Sequence, residues 1–310
     1  MGRAYALPSS LLLIRNGNHM DYYLKKNKGR IFWTEEQVEY VISKYEKELA
    51  SIASIARMFS CDPDAIRGVL RKAGIQLRNR REDHPRKSDY FHAIDSSEKA
   101  YWLGLLYADG CVASDKTGNN RISLGMIDKD HVEKFLVAIG AVNNKITTVK
   151  PKGFANASDT YYASVYDAEM REDLITLGCV PQKTKVINTI PDIPKEFLFD
   201  FVRGYFDGDG CIRFDKNRNC YRMSFVCGSE EFLKSIQHVL GVSHLSISHG
   251  KSGCSASYFS IAAKSDLLRI ITAMYEHSTE QSRLSRKYQK CQDCLAWIGK
   301  KIGGTKIEPF

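Results

Sequence analysis

The chain has 310 residues, of which 43% are hydrophobic and 26% charged, and it carries a formal net charge of +9. That length and apolar content suffice for two or three compact units, which excludes a mainly disordered chain, while the positive balance points mildly to a polyanionic partner. Nine cysteines without a regular framework read as reduced thiols, and the early apolar run Leu11 to Ile14 is cut off by Arg15, too short for a signal-peptide core or a membrane span; an intracellular protein is expected.

In chain order, residues 1–30 read as a leader, in which Met20 offers a second start. Residues 31–77 read as a separate helical unit. Thr34-Glu35-Glu36-Gln37 has the form of a capping box, in which two side chains satisfy free backbone N–H groups reciprocally. It opens a helix through about Lys47 with Val38, Val41, Ile42 and Tyr45 on one face. A second helix follows at about Leu49 to Phe59 on Ile52, Ile55, Ala56 and Phe59. Asp62 as N-cap and Pro63 at the first position start a third, which runs to about Ala73 and stops at Gly74. This order matches a helix-turn-helix module, with Ile66, Val69 and Leu70 packed inward and Arg67, Arg71 and Lys72 turned to a DNA groove. A plain three-helix bundle with a solvated basic face is the alternative. Residues 78–95 begin with a polar, basic stretch without periodicity and read as a linker. Residues 1–95 hold 17 basic and 12 acidic side chains against 28 and 24 in the remainder, so positive charge is denser at the N-terminal side, as a part gripping a phosphate backbone requires.

From residue 96 onward one pattern occurs twice. Trp102-Leu103-Gly104-Leu105-Leu106-Tyr107-Ala108-Asp109-Gly110 is matched by Val202-Arg203-Gly204-Tyr205-Phe206-Asp207-Gly208-Asp209-Gly210, with the last acids 100 residues apart. Each copy reads as the end of a helix. Small residues at i and i+4 (Gly104/Ala108 and Gly204/Gly208) leave one face poor in side chains, and two such faces can pack backbone against backbone. Asp109 and Asp209 then meet at the foot of the crossing, at the negative ends of two helix dipoles. Gly110 and Gly210 are expected in the left-handed cap conformation. A bare pair of carboxylates there repels, which raises one pKa strongly; a divalent cation resolves this. Oxygen ligands suit a hard ion such as Mg²⁺, which keeps several waters and takes remaining ligands from a phosphate. The chemistry expected of such a centre is metal-assisted phosphodiester hydrolysis.

Each motif is followed by a hairpin, a helix, a second hairpin and a further helix. Cys211 to Asp215 and Tyr221 to Phe225 alternate strictly, which turns Ile212, Phe214, Tyr221, Met223 and Phe225 toward the helices and Arg213, Asp215, Arg222 and Ser224 outward. In the first half Ile122, Leu124 and Met126 point inward, Arg121 and Ser123 outward. The helices between the hairpins, about 130–139 and 229–240, end at Gly140 and Gly241. The second hairpins occupy roughly 145–166 and 244–262, with Leu245 and Ile247 as inward strand residues. A two-stranded ribbon of this kind fits a major groove, where Arg engages guanine edges; an ordinary solvated face is the plain alternative. Cys291 and Cys294 form the one close cysteine pair and lack two further ligands for tetrahedral zinc.

The paired motifs resemble the LAGLIDADG homing endonucleases in their two-motif, single-chain form. Both copies keep the glycine, the small residue and the terminal Asp-Gly, although Tyr107 stands where an acid is usual and Arg203 replaces an alanine. The resemblance covers roughly residues 97–290. It implies an α+β fold: a pseudo-twofold tandem repeat of αββαββα halves, at 96–196 and 197–300 with a tail at 301–310, preceded by the small all-α helix-turn-helix domain and acting as a monomer. It implies that Asp109 and Asp209, with Ala108 and Gly208 beside them, bind Mg²⁺. It further implies a basic residue late in each half as electrostatic support for the phosphate: Lys183 and Arg283, each 74 residues past its acid, with Lys185, Arg286 and Lys287 as competitors. Asp128 is a further candidate, as a side chain that holds water. The function implied is site-specific cleavage of double-stranded DNA at a long, non-palindromic target, contacted by Arg121, Ser123, Arg213, Asp215, Arg222 and Ser224, with Arg67, Arg71 and Lys72 extending the footprint. A non-cleaving DNA-binding regulator or an intron RNA maturase on the same fold is the alternative. An intein is not expected, since Glu308-Pro309-Phe310 stands where His-Asn belongs and no nucleophile stands first.

Overall fold

The computed structural model describes residues 25–27, 30–78, 84–114, 119–150, 158–183, 186–250 and 256–301. The chain divides between Pro85 and Arg86 into two units. In the first, β1 (Lys25–Asn27) and β2 (Arg30–Phe32) pair antiparallel, so the end of the expected leader is a hairpin; residues 1–24 lie outside the described residues. Three helices follow: α1 (Glu35–Glu46), α2 (Ile52–Met58) and α3 (Pro63–Lys72). The capping box is formed, with the Gln37 amide N–H donating to the Thr34 hydroxyl (3.2 Å) and the Thr34 N–H to the Gln37 side chain (3.1 Å). Helix α2 starts three residues later than expected. Leu49 adopts φ 52° and is exposed, and the Ser51 hydroxyl provides the cap. Val41, Tyr45, Ile55, Phe59, Ile66 and Leu70 form the buried core of this unit. Arg78 belongs to it as well: its guanidinium lies over the Tyr45 ring at 3.9 Å and donates to the carbonyls of Tyr45 and Ala50.

The second unit begins earlier than the expected linker allows. Tyr90, Phe91 and Ile94 are buried in its core, the Lys87 N–H donates to the Ile139 carbonyl (2.8 Å), and Arg86 and Ser88 both hold Asp167. Residues 86–95 are therefore structural, because a few aromatic and aliphatic side chains inside a polar run outweigh its average polarity. The first half then runs α4 (Ser97–Asp109), β3 (Gly110–Val112), β4 (Arg121–Met126), α5 (Lys129–Ala138), β5 (Ile146–Val149), β6 (Thr160–Tyr166) and α6 (Ala168–Thr176). The second runs α7 (Leu198–Asp209), β7 (Gly210–Asp215), β8 (Cys220–Cys227), α8 (Glu230–Leu240), β9 (Ser248–His249), β10 (Ser257–Ile261) and α9 (Lys264–Tyr275), with α10 (Ser285–Lys301) added at the end. Both sheets are antiparallel and share one order, β3-β4-β6-β5 and β7-β8-β10-β9. The tandem α+β repeat is as expected.

The alternation holds where the helices cover the sheet: Ile122, Leu124, Met126, Ile212, Met223 and Phe225 are buried. Phe214 departs from it, being 38% exposed at the end of β7, where its ring packs edge-on against Tyr221 and Trp297 of α10. Strand β9 is also shorter than expected. Leu245 and Ile247 precede it outside the strand and reach the core only in part, and the Gln237 side-chain amide donates to the Leu245 carbonyl (2.9 Å). Among the described residues no helix is long and apolar enough to cross a membrane.

Candidate metal centre at the helix crossing

Helix α4 is buried on all sides from Ala100 to Tyr107, and α7 from Asp200 to Asp207, so the two helices form the centre of the unit rather than its surface. Their contact is backbone on backbone. A Cβ placed on Gly104 would collide with the Phe201 carbonyl, and one on Gly204 with the equivalent Tyr101 carbonyl; one on Gly208 would collide with the Ala108 methyl. That last position lies 3.1 Å from an Asp109 carboxylate oxygen, so the missing side chain is what brings the final helical turns, and with them Asp109 and Asp209, together. Gly110 and Gly210 do not adopt the expected left-handed cap. Their φ values are −79° and −86° in extended backbone, because each helix passes directly into a strand. Glycine is required there for a different reason: a Cβ would sit 2.5 Å from the Leu106 or Phe206 carbonyl oxygen.

Asp109 is half-buried and its carboxyl is pushed up to about 6, first by desolvation and then by the Asp209 charge, against the pull of Lys287, Lys183 and Arg286. Asp209 is more exposed and is also raised, by desolvation, with Lys183, Lys287 and a hydrogen bond from Tyr205 opposing. The pair thus behaves as two acids short of counter-charge. Lys183 donates to the Gly110 carbonyl. Its counterpart in the second half is Lys287, which donates to the carbonyls of Phe206 (2.6 Å), Gly208 (3.1 Å) and Gly210 (2.6 Å) and whose pKa burial lowers to about 8. Arg283, expected in that role from its equal offset, instead lies over the Tyr288 ring at 3.8 Å. The offsets diverge because Lys183 comes seven residues after α6 ends, whereas Lys287 comes twelve after α9, beyond an extra turn at Glu280–Ser282. Lys287 did leave a signal: it falls on the apolar face that Cys291, Cys294 and Ile298 trace along α10, in step with Leu284 just before the helix. Lys185 lies outside the described residues. Asp128 starts α5 without capping it and is held by Arg286 in a two-pronged ion pair (Nε–Oδ1 and Nη2–Oδ2 both 3.0 Å), which links the two halves.

The two departures from the motif are structural. The Tyr107 hydroxyl donates to the Leu177 carbonyl just past α6. Asp207, at the same motif position, accepts from the Leu284 N–H (2.7 Å) and the Tyr101 hydroxyl (2.8 Å), and burial pushes it up to about 6. Tyr101 also meets His131 (2.6 Å), which burial lowers to about 4; this cluster left no sequence signal. Arg203 is fully buried and ties Asp200 to the carbonyls of Met274 and Ser282.

On the outer sheet faces Arg121 and Arg213 are exposed and Ser123, Asp215, Arg222 and Ser224 half-buried. Arg213 and Arg222 sit opposite each other in register, a repulsive pairing that Asp215 relieves at 3.4 Å from Arg222. In the three-helix unit Arg71 and Lys72 are exposed, while Arg67 is bound to Asp64 one turn away. Cys291 and Cys294 are buried, with the Cys294 thiol pushed up to about 12, and among the described residues no three His, Cys, Asp or Glu side chains form a metal-binding group.

Residues 196–269, from the turn before α7 into α9, match the family of LAGLIDADG-like domains. Two curated proteins of Methanocaldococcus jannaschii are similar to this chain: a probable translation initiation factor IF-2, 25% identical over 144 residues (45% of this chain, 11% of that one), and an uncharacterized protein, 25% identical over 155 residues (50% and 57%). The chain thus spans 11% and 57% of the lengths of these relatives. Among solved structures it is similar to the meganuclease I-SmaMI bound to DNA (13% identity, 66% of this chain and 89% of that chain, TM-score 0.42). It is also similar to full-length DUF199/WhiA from Thermatoga maritima (14%, 72% and 66%, 0.41) and to variants of the homing endonuclease I-DmoI (16%, 59% and 97%, 0.40).

Proposed function

We propose that this LAGLIDADG-like chain is a metal-dependent endonuclease of the homing type that cuts double-stranded DNA at a long, asymmetric site. The observation that carries this reading is the pair of under-neutralised aspartates, Asp109 and Asp209, at the crossing of α4 and α7. The donor set fits Mg²⁺: two carboxylates of adjacent helix ends, with the carbonyls of Ala108 and Gly208 beside them, and no further side chains needed by an ion that keeps most of its waters. The Gly208 carbonyl already accepts from Lys287, so it would be shared. When bound, Mg²⁺ supplies neutralisation at the phosphate and a more acidic water. The protein's own part is to hold the acids in register, to place the Lys183 charge beside a scissile phosphate, and to seat the duplex on the outward residues of the two sheets. Those residues differ between the halves, so a palindrome would leave one half mismatched. The Arg71 and Lys72 face of α3 adds phosphate contacts to the footprint.

The test is incubation of the protein with DNA flanking its own gene and Mg²⁺, beside Asp109→Asn and Asp209→Asn. Cleavage by the native chain alone is expected. Tight DNA binding without cutting, or specific binding to a folded intron RNA, would replace the proposal by a non-cleaving regulator or a maturase.

A further inference from the structure

Helix α3 carries a glycine that its own fold does not need. Glycine inside a helix destabilises it relative to alanine, because glycine loses more backbone freedom on folding. At Gly104 and Gly204 a backbone carbonyl stands where a side chain would go, and at Gly208 a methyl group does. Gly68 differs from all three: its φ is not positive, and a Cβ placed on it meets nothing within 4 Å. By helical periodicity Gly68 lies directly opposite Ile66, Val69 and Leu70, the buried side of α3. Asp64 shares that outward line, with Arg67 and Arg71 on one flank and Lys72 on the other. Arg71 and Lys72 are exposed, and Asp64, the one acid of the helix, is already met by Arg67. Charge within the unit is segregated, since α1 carries Glu35, Glu36, Glu39 and Glu46 against Lys44 alone. The open, glycine-centred face is therefore also the basic one.

We propose that α3 seats in the major groove of duplex DNA with its backbone at Gly68 closest to the base pairs, so that the three-helix unit reads sequence as well as gripping phosphates. The missing side chain lets the helix sink. Arg71 and Lys72 then reach the phosphates of the two groove walls, while Asp64 holds the Arg67 guanidinium beside the base edges. Charge and shape identify the occupant: cationic arms on both flanks, with no apolar group between them, fit a polyanion that passes on either side of the helix. The inference rests on the duplex-DNA part of the proposed function and not on cleavage.

The experiment uses the full chain with Ca²⁺ in place of Mg²⁺. Sites that the native chain selects from random duplexes are compared with unrelated duplex, beside Gly68→Ala and Arg71→Ala. Gly68→Ala should slow hydrogen exchange in α3, yet bind the selected site at least tenfold more weakly while its affinity for unrelated duplex stays within twofold. Arg71→Ala should weaken both duplexes alike and lower the salt slope by about 1. Unchanged affinity of Gly68→Ala for the selected site overturns the inference. Faster exchange in α3 does so too, because the glycine would then be a need of the fold, and an equal loss on both duplexes leaves phosphate gripping alone. Selected sites that the native chain binds but does not cut in Mg²⁺ overturn the endonuclease reading and leave this one standing; a native chain that binds no duplex overturns both.

Discussion

The first and second halves of the repeat agree wherever two backbones touch and diverge wherever side chains alone decide. Gly104 and Gly204 meet equivalent carbonyls, those of Phe201 and Tyr101, and Gly110 and Gly210 leave their helices in the same extended conformation. Beyond those contacts the halves solve the same problem with different chemistry. A hydroxyl donor, Tyr107, ties the first motif helix to the end of its half; a carboxylate acceptor, Asp207, does so in the second. Leu103 is plain apolar core, while Arg203 at the equivalent position carries a buried ion pair. Close backbone approach admits one solution, because a carbonyl cannot move aside, whereas a side-chain contact needs only matched polarity and volume.

The largest expected effect tests the divergence. Arg203→Met keeps the bulk but strands the Asp200 charge, and should cost about 3–5 kcal/mol in urea unfolding. Leu103→Met at the matching position should cost less than about 1.5 kcal/mol. Similar losses at the two positions would mean that the buried pair contributes nothing specific. The next effect tests the agreement. Gly104→Ala and Gly204→Ala each drive a methyl into a backbone carbonyl and should each cost about 3 kcal/mol. A tolerated substitution at either one would show that the helices are not equally apposed.

The smallest effect concerns the acid pair. The Asp109 carboxyl sits at about 6 in the fold, above the ordinary carboxylate range, so its folded form favours the proton. The sign follows from linkage: the contribution is fully present below about pH 4 and is lost as pH rises through about 6. Asp109→Asn should therefore stabilise the metal-free protein by about 2 kcal/mol at pH 7.5 and by nothing at pH 4. Mg²⁺ should raise the melting temperature of the native chain more at pH 7.5 than at pH 5, and fail to do so in Asp109→Asn. A melting temperature indifferent to Mg²⁺ at pH 7.5 would break the link between the acids and a metal.

Much of the architecture was legible in the residues because it rests on local rules. The capping box at Thr34, the Asp62-Pro63 helix start, the alternation of Ile122, Leu124 and Met126, and the repeated small-residue stripe all follow from hydrogen-bond satisfaction and periodicity within a few residues. The acid pair was legible for the same reason, since the two stripes can close only against each other. Three features depended on the tertiary structure. The partner of Lys183 is Lys287 and not Arg283, because counting along the chain cannot see the extra turn at Glu280–Ser282. Residues 86–95 are core and not linker, because burial is decided by what packs on Tyr90 and Phe91. Asp128 reaches Arg286 across 158 positions, a pairing set by where two halves meet in space and by nothing near either residue in sequence.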